Sequence, residues 1–287
     1  MKKFKTYLVS FVALIVVAIT FSACDKDEAG VFNPDQKISK VYTQSLGEPK
    51  YLTEQWTWDD KTLSLIQYYD EGVLEGTESF TYEDGRLSKV TDNFGFYALY
   101  TYNEKHYAKI EYYNQVNTLL SDITFTYTED KVTGMTINTY TVTKQFGTML
   151  QRSFIGKLLP KYAMEEVIKK SVLQEGNASK EAINITVAYD GDNVSTLTVG
   201  DYTITSSAYD TKINPRFNFT PFSTYYENTN AEVFCKNNPG TTSTSIQGTT
   251  INTSFIYTYS GDFPTIIEMT TSFSGINISE TMTIEYK

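Results

Sequence analysis

The sequence predicts an all-β protein: an antiparallel meander of about 14–18 strands, forming a curled sheet or barrel with one short helical insertion. Three observations predict it. Aromatic residues make up 15% of the 287 residues, with 23 Tyr and 17 Phe against 2 Trp. Together with frequent Thr, that composition favours pleated, half-buried surfaces. One phrase recurs along the chain: aromatic, Thr, aromatic, a short polar turn, then an apolar residue or two. The copies return at intervals that fit two strands and two turns.

The clearest copy runs Phe80-Thr81-Tyr82-Glu83-Asp84-Gly85-Arg86-Leu87-Ser88-Lys89-Val90. Alternation puts the Phe80 and Tyr82 rings on one face and Thr81 on the other, which is the period of a strand. Asp84 and Gly85 tolerate the positive φ that a tight turn demands. Leu87 to Val90 begins the return strand. In strict alternation Leu87 and Val90 fall on opposite faces, so the phrase implies either a bulge or two apolar faces. Further copies begin at Trp56, Tyr100, Phe125 and Tyr257, weaker ones at Val187 and Ser207, and a half copy lies at Thr283–Tyr286. Each full copy is expected to be a hairpin. The third positions are Trp58, Tyr82, Tyr102, Tyr127, Tyr189, Tyr209, Tyr259 and Tyr286, separated by 24, 20, 25, 62, 20, 50 and 27 residues. The two long gaps leave room for more diverged hairpins. So many strands exceed a flat open sheet, and curling or closure would remove the edges.

The segment Pro160 to Val172 departs from the pattern. Met164, Val167, Ile168 and Val172 recur at helical spacing, with Pro160 at the start and Gly176 as a stop. A helix is expected at about 161–174, covering an edge or plugging one end of the sheet.

The first residues carry an address. Lys2, Lys3 and Lys5 precede 15 uncharged, mostly apolar residues from Tyr7 to Phe21. A spanning helix needs about 20, so the stretch suits a signal peptide. It ends Phe21-Ser22-Ala23-Cys24, which resembles the bacterial lipobox. That resemblance implies cleavage before Cys24 and lipidation of its thiol. Asp25-Lys26-Asp27-Glu28 is similar to the acidic export tag of Bacteroides lipoproteins, which implies display on the outer face of the outer membrane. The expected organisation is a signal peptide at 1–23, an acidic tether at 24–37 and one β-repeat domain at 38–287. The chain from Cys24 onward would hold 21 basic and 34 acidic residues, a net charge of −13. Such a surface does not lie flat on anionic glycolipid, so the membrane contact is expected through the N-terminal lipid alone. Cys235, the other Cys, is then left without an intrachain partner and is expected as a buried thiol.

Two stretches carry a wider resemblance. Tyr209-Asp210-Thr211-Lys212-Ile213-Asn214-Pro215 and Lys236-Asn237-Asn238-Pro239, behind a lipobox and several hairpins, look like landmarks of a Bacteroides-type outer-membrane lipoprotein family. That family has a domain of unknown function with a porin-like β fold. The phrase Tyr82-Glu83-Asp84-Gly85-Arg86-Leu87-Ser88-Lys89-Val90 of this chain also resembles the Tyr-Asp repeats of large bacterial shell-forming toxins. Arg216 and Asn218 stand where that family is usually more apolar, and Cys235 where a small polar residue is commoner. The resemblance implies a shape and no chemistry.

The net charge of −10 over the whole chain argues against nucleic acid, because phosphate binding needs a basic face. No nucleophile elbow, phosphate loop, dinucleotide fingerprint or zinc-protease motif occurs. With 2 Cys and 1 His there is little material for metal sites or imidazole catalysis, and no catalytic, cofactor or metal residue is assigned. The acidic pairs Glu83/Asp84 and Asp190/Asp192 suit turns better than glycoside hydrolysis or calcium binding. One functional handle remains. Trp56 with Trp58, and Tyr100 with Tyr102, share faces on which a sugar could stack, although core filling is the plainer reading of the same rings. The expected function is therefore a non-enzymatic, surface-displayed lipoprotein that binds a glycan or an envelope or host partner. The alternative is a structural or assembly component of the envelope.

Overall fold

A computed structural model describes residues 29–104, 106–140, 182–219, 234–246 and 248–287. The expected signal peptide, Cys24, the tag Asp25-Lys26-Asp27-Glu28 and the expected helix near 161–174 all lie outside the described residues. The strands are β1 (Ile38–Ser45), β2 (Tyr51–Asp59), β3 (Thr62–Asp70), β4 (Val73–Glu83), β5 (Arg86–Asp92), β6 (Tyr97–Asn103), β7 (His106–Tyr113) and β8 (Leu119–Thr128). They continue as β9 (Lys131–Thr139), β10 (Ile183–Asp190), β11 (Asn193–Val199), β12 (Tyr202–Ser207), β13 (Thr241–Ile246), β14 (Thr249–Ser260), β15 (Phe263–Phe273) and β16 (Ile276–Tyr286). Every strand pairs antiparallel with its sequence neighbours, and β16 pairs with β1, so the sixteen strands close into a barrel. The meander matches the expectation from the repeat, and of the two forms expected, a curled sheet or a barrel, the chain adopts the barrel.

The ambiguity at Leu87 and Val90 resolves as a bulge. Tyr82 faces Leu87 but Thr81 faces Lys89, so Ser88 is the extra residue. Leu87 and Val90 are thereby both buried. The same slip occurs at the second and third positions of the hairpins beginning at Trp56, Tyr100, Phe125, Val187 and Tyr257. In several of them the extra residue is Ser or Thr, and its hydroxyl donates to the carbonyl of the phrase's Thr. Ser88 reaches Thr81 at 3.1 Å, Ser64 reaches Thr57 at 3.0 Å, and Thr265 reaches Thr258 at 3.1 Å. The bulge tightens the local twist, which a closing sheet needs. At Asp84 and Gly85 φ is +51° and +83°, the primed-turn geometry anticipated for this hairpin.

The phrase at Ser207 departs from the expectation of a hairpin. β12 ends at Ser207, and Tyr209 begins a long connection to β13. Its sequence copies the turn but has no alternating return strand, because Asn214 and Pro215 interrupt it.

The third-position rings knit one hairpin to the next. Tyr82 donates its hydroxyl to the carbonyl of Leu63, the residue facing Trp58. Tyr102 does the same to Leu87, which faces Tyr82, and Tyr127 to Tyr107, which faces Tyr102. Tyr209 reaches Val194, opposite Tyr189, and Tyr286 reaches Pro264, opposite Tyr259. The Trp58 indole donates to Ile38, which faces Tyr286, across the closing seam. These rings line the inside of one rim, the rim where β1 begins and β16 ends. Outside it, side chains join adjacent turns: Arg86 donates to the Glu104 carbonyl, His106 meets Asp130 at 3.2 Å, and Lys131 meets Asp192 at 3.3 Å.

The barrel is largely apolar within, although Glu54, Glu78, Asp92, Thr242 and Thr244 are also buried there, and it is polar without. Trp56, Ile66, Val90, Ile110, Met135 and Leu197 belong to one buried cluster inside it. On the outer wall, one row of paired positions reads Thr101, Lys109, Thr124, Thr136 and Asn184. A membrane-spanning barrel shows the reverse, an outward apolar band around a polar interior. Among the described residues no helix is long and apolar enough to cross a membrane.

If the ring-to-carbonyl bonds hold hairpins together, Tyr82→Phe should lower stability by about 1 kcal/mol while leaving strand content intact. Denaturant unfolding followed by circular dichroism measures this. An unchanged midpoint would mean the Tyr82 hydroxyl contributes nothing.

Candidate functional site

A 16-strand barrel is wide enough to leave an aqueous channel. Here the chain fills that space near the rim described above. The connection after β12 turns inward, and its residues Asn214, Arg216 and Phe219 are buried. The Phe219 ring sits 4.8 Å from that of Trp56 and 6.4 Å from that of Phe80. Residues 29–37, the described part of the expected tether, enter from the same rim. Phe32 packs 5.0 Å from Phe219 and 5.7 Å from Trp58. Gly30 accepts from the Leu87 amide at 2.9 Å and donates to the Tyr107 hydroxyl at 2.9 Å. Its φ is +80°, and a Cβ there would overlap the Tyr102 ring, so both the backbone and the space require glycine.

The candidate stacking residues all lie inside this arrangement. Trp56, Trp58 and Tyr100 are buried, and Tyr102 is partly buried against the same cluster. The two Trp rings stack at 6.2 Å, as their shared face predicts. The faces they could offer a sugar are taken by Phe32 and Phe219 of the same chain. Burial, followed by neighbouring tyrosines, pushes the Tyr100 phenol well above its ordinary range. Burial is also the main cause of the upward shift at Tyr102 and Tyr82.

One ion pair is set among these rings. Arg216 meets both oxygens of Glu54 at 3.1 and 3.2 Å. Glu54 also accepts from the Trp56 indole at 2.7 Å, and the guanidinium lies 5.4 Å from the Trp56 ring centre. Arg216 is 6% exposed and Glu54 is 3% exposed. Pairing, an indole donor and a cation–π contact together offset the cost of burying both charges. The pair is 162 residues apart in sequence, so it pins the inward connection to β2. No sequence signal marked Glu54. Arg216 was visible only as a charge in a stretch expected to be apolar.

The two landmark stretches meet each other. Asp210 donates its amide to the Asn238 carbonyl, and Asn214 donates its amide to the Lys236 carbonyl. The Asn214 side chain reaches the Cys235 carbonyl at 2.8 Å, and the Asn237 side chain reaches Lys212 at 2.9 Å. Tyr259 donates to Asp210, which also accepts from the Lys212 amide. These bonds clamp the ends of the connection between β12 and β13. Cys235 is buried, as expected, with its sulfur 3.3 Å from the Tyr209 hydroxyl. Asp192 sits in a hairpin turn beside Lys131 and Lys236. Among the described residues no cluster of three or more His, Cys, Asp or Glu could hold a metal ion.

No protein-family model matches the chain, and no curated protein matches it in sequence. Two solved structures are similar in shape. A porin-like protein from Bacteroides uniformis is 13% identical, with a TM-score of 0.49, over 90% of this chain and 100% of that one. A porin-like protein from Bacteroides vulgatus is 10% identical, with a TM-score of 0.32, over 88% of this chain and 99% of that one.

Two outcomes test this interior. Arg216→Met should cost about 3–5 kcal/mol, because it strands a buried carboxylate. The double change Glu54→Leu with Arg216→Met should cost clearly less, measured by denaturant unfolding. Equal losses would show that the pair itself, not the stranded charge, sets stability. The raised tyrosines give a pH dependence with a fixed sign. Unfolded phenols ionise near pH 10, below the folded ones, so stability present under that pH is lost progressively as pH rises beyond it. Tyrosine absorbance and circular dichroism should therefore change together, well above pH 10. Free titration of all tyrosines at pH 10 with the fold intact would contradict the burial.

Proposed function

We propose that this chain is a surface-displayed lipoprotein of the outer membrane: a water-soluble barrel held by lipid on Cys24, acting by binding rather than by catalysis. Its partner on this reading is a glycan or an envelope or host protein. One observation carries the proposal. The sheet turns a largely apolar face inward, and Phe32, Arg216 and Phe219 pack the lumen near one rim, so neither insertion into lipid nor conduction through the centre suits it. What remains for function is the polar outer wall and the two rims. The rim at which the described chain begins carries acidic turns such as Asp59-Asp60 and Glu83-Asp84. That rim would stand off from anionic glycolipid rather than lie on it, leaving the opposite rim to face away from the membrane.

The second reading, an assembly component of the envelope, is favoured by that opposite rim. Consecutive turns there expose apolar side chains. Leu46 is 86% exposed, Val73 62%, Val116 70% and Ile278 65%. Exposed apolar clusters of this kind mark protein or membrane contacts.

Protease treatment of intact cells, followed by blotting, tests the display. The chain should disappear while periplasmic markers survive. Survival until the outer membrane is broken would remove surface display and favour the assembly reading. That reading expects one specific protein to co-purify after crosslinking.

A further inference from the structure

The outer wall between β12 and β16 differs from the rest of the barrel. One row of paired positions across these five strands reads Ser207, Thr241, Ser254, Thr270 and Ser279. The next row reads Thr205, Ser243, Asn252, Ser272 and Asn277. Neither row contains a charged or an aromatic side chain. By contrast, the outer row through β4–β9 reads Thr81, Lys89, Leu99, Glu111, Asp122 and Asn138. In a chain this acidic, ten neighbouring outward positions without a charge are a local feature. Strand propensity explains the Thr residues but not Asn252 or Asn277, since Asn is depleted in strands.

Eight of these ten residues, all but Asn277 and Ser279, line a groove of about 330 Å³ that is open to solvent. Cross-strand bonds order its margins. Ser207 and Thr241 hydroxyls meet at 2.8 Å, Thr270 and Ser279 at 3.3 Å, and Ser272 donates to the Asn277 amide oxygen at 2.7 Å. At the centre, Asn252 is exposed and faces outward with both a donor and an acceptor. Beside it, Ser254 presents a hydroxyl of the same dual character.

We infer that this groove is a binding site for a neutral polysaccharide laid across the strands. The inference rests on the glycan-binding reading above and places it on the outer wall rather than on the enclosed Trp and Tyr rings. The chemistry is matched group by group. Sugar hydroxyls donate and accept, as Ser, Thr and Asn side chains do. Positions recur about every 4.8 Å across the strands and about every 7 Å along them, a grid on the scale of a pyranose ring. With no cation in the two rows, an anionic sugar finds no counter-charge, and the net charge of the chain repels it.

Affinity electrophoresis of the full chain in gels containing a soluble β-glucan, a galactomannan or a dextran tests the site, with polygalacturonate as the anionic comparison. At least one neutral polymer should retard the chain, and polygalacturonate should not. The triple change Thr241→Val, Asn252→Leu and Thr270→Val removes donors and acceptors while retaining size, and Val suits a strand. It should weaken retardation at least about tenfold, equivalent to about 1.4 kcal/mol. Thr124→Val, on the outer wall at β8 and outside the groove, should bind as the unaltered chain does. Circular dichroism and thermal unfolding of each variant separate lost binding from lost fold. Equal retardation of the folded triple variant would overturn the groove and leave glycan binding standing elsewhere. Absence of retardation by all three neutral polymers would overturn the groove as well. Surface binding of a protein partner would then be decided by crosslinking, which does not depend on sugar.

Discussion

The whole structure depends on one constraint: sixteen strands close with their apolar face inward. Closure of that many strands encloses more space than the strands' own side chains span. In a polar-lined barrel water would occupy the space. Here much of the lining near one rim is Trp, Tyr, Phe, Ile and Val, and hydrating that apolar part would forfeit about 25 cal/mol for each Å² left exposed. The chain therefore supplies its own filling. Phe32 comes from the N-terminal side, Phe219 from the connection after β12, and Arg216 binds that connection to Glu54 of the wall. The wall and its filling are parts of one core, and neither has a buried apolar surface without the other.

Closure itself is assembled from a local device used repeatedly. Each phrase brings a tight turn, a one-residue bulge and a ring that reaches back to the previous hairpin. The bulge keeps two apolar residues of the return strand on the inner face and adds twist. The ring bonds are modest singly, about 0.5–1.5 kcal/mol each, but they run from hairpin to hairpin and cross the seam at Trp58 and Ile38. Tyrosine suits the position because its ring belongs to the core while its hydroxyl needs a partner at the rim. A Phe would fill the same space and leave the carbonyl unmatched. The outer wall is freed from packing by the same arrangement, and its side chains can vary for other reasons. Between β12 and β16 they vary toward an uncharged, hydroxyl-rich surface that no packing requirement explains.

Much of the fold was legible because the phrase is short-range physics. Alternation of Tyr and Thr, the Asp-Gly turn and the misfit of Leu87 with Val90 each follow from neighbouring residues. The inward connection was not legible. Tyr209 to Phe217 copies the turn of a hairpin, and nothing local says that the return strand fails. Its course is decided by Asn214, Asn237 and Asn238, whose side-chain amides donate to backbone carbonyls on the other side of the same connection. Glu54 was hidden for a similar reason, since a carboxylate among aromatic residues is costly until its Arg partner, far away in sequence, is in place. The pairing of Trp56 with Trp58 was read correctly as one face. Whether that face met solvent or protein depended on Phe32 and Phe219.

By itself, the sequence determined the strand class, the repeat, the turns of its clearest copies and the face that each pair of rings shares. These follow from backbone sterics and a period of two, and they need no distant partner. Only the tertiary structure decided which side of the sheet is inside, how the lumen is filled and which polar side chains remain on an open wall. Those outcomes depend on contacts between residues more than a hundred positions apart, such as Arg216 with Glu54 and Tyr286 with Ile38. Closure decides them, because it chooses at one stroke which face of every strand loses water.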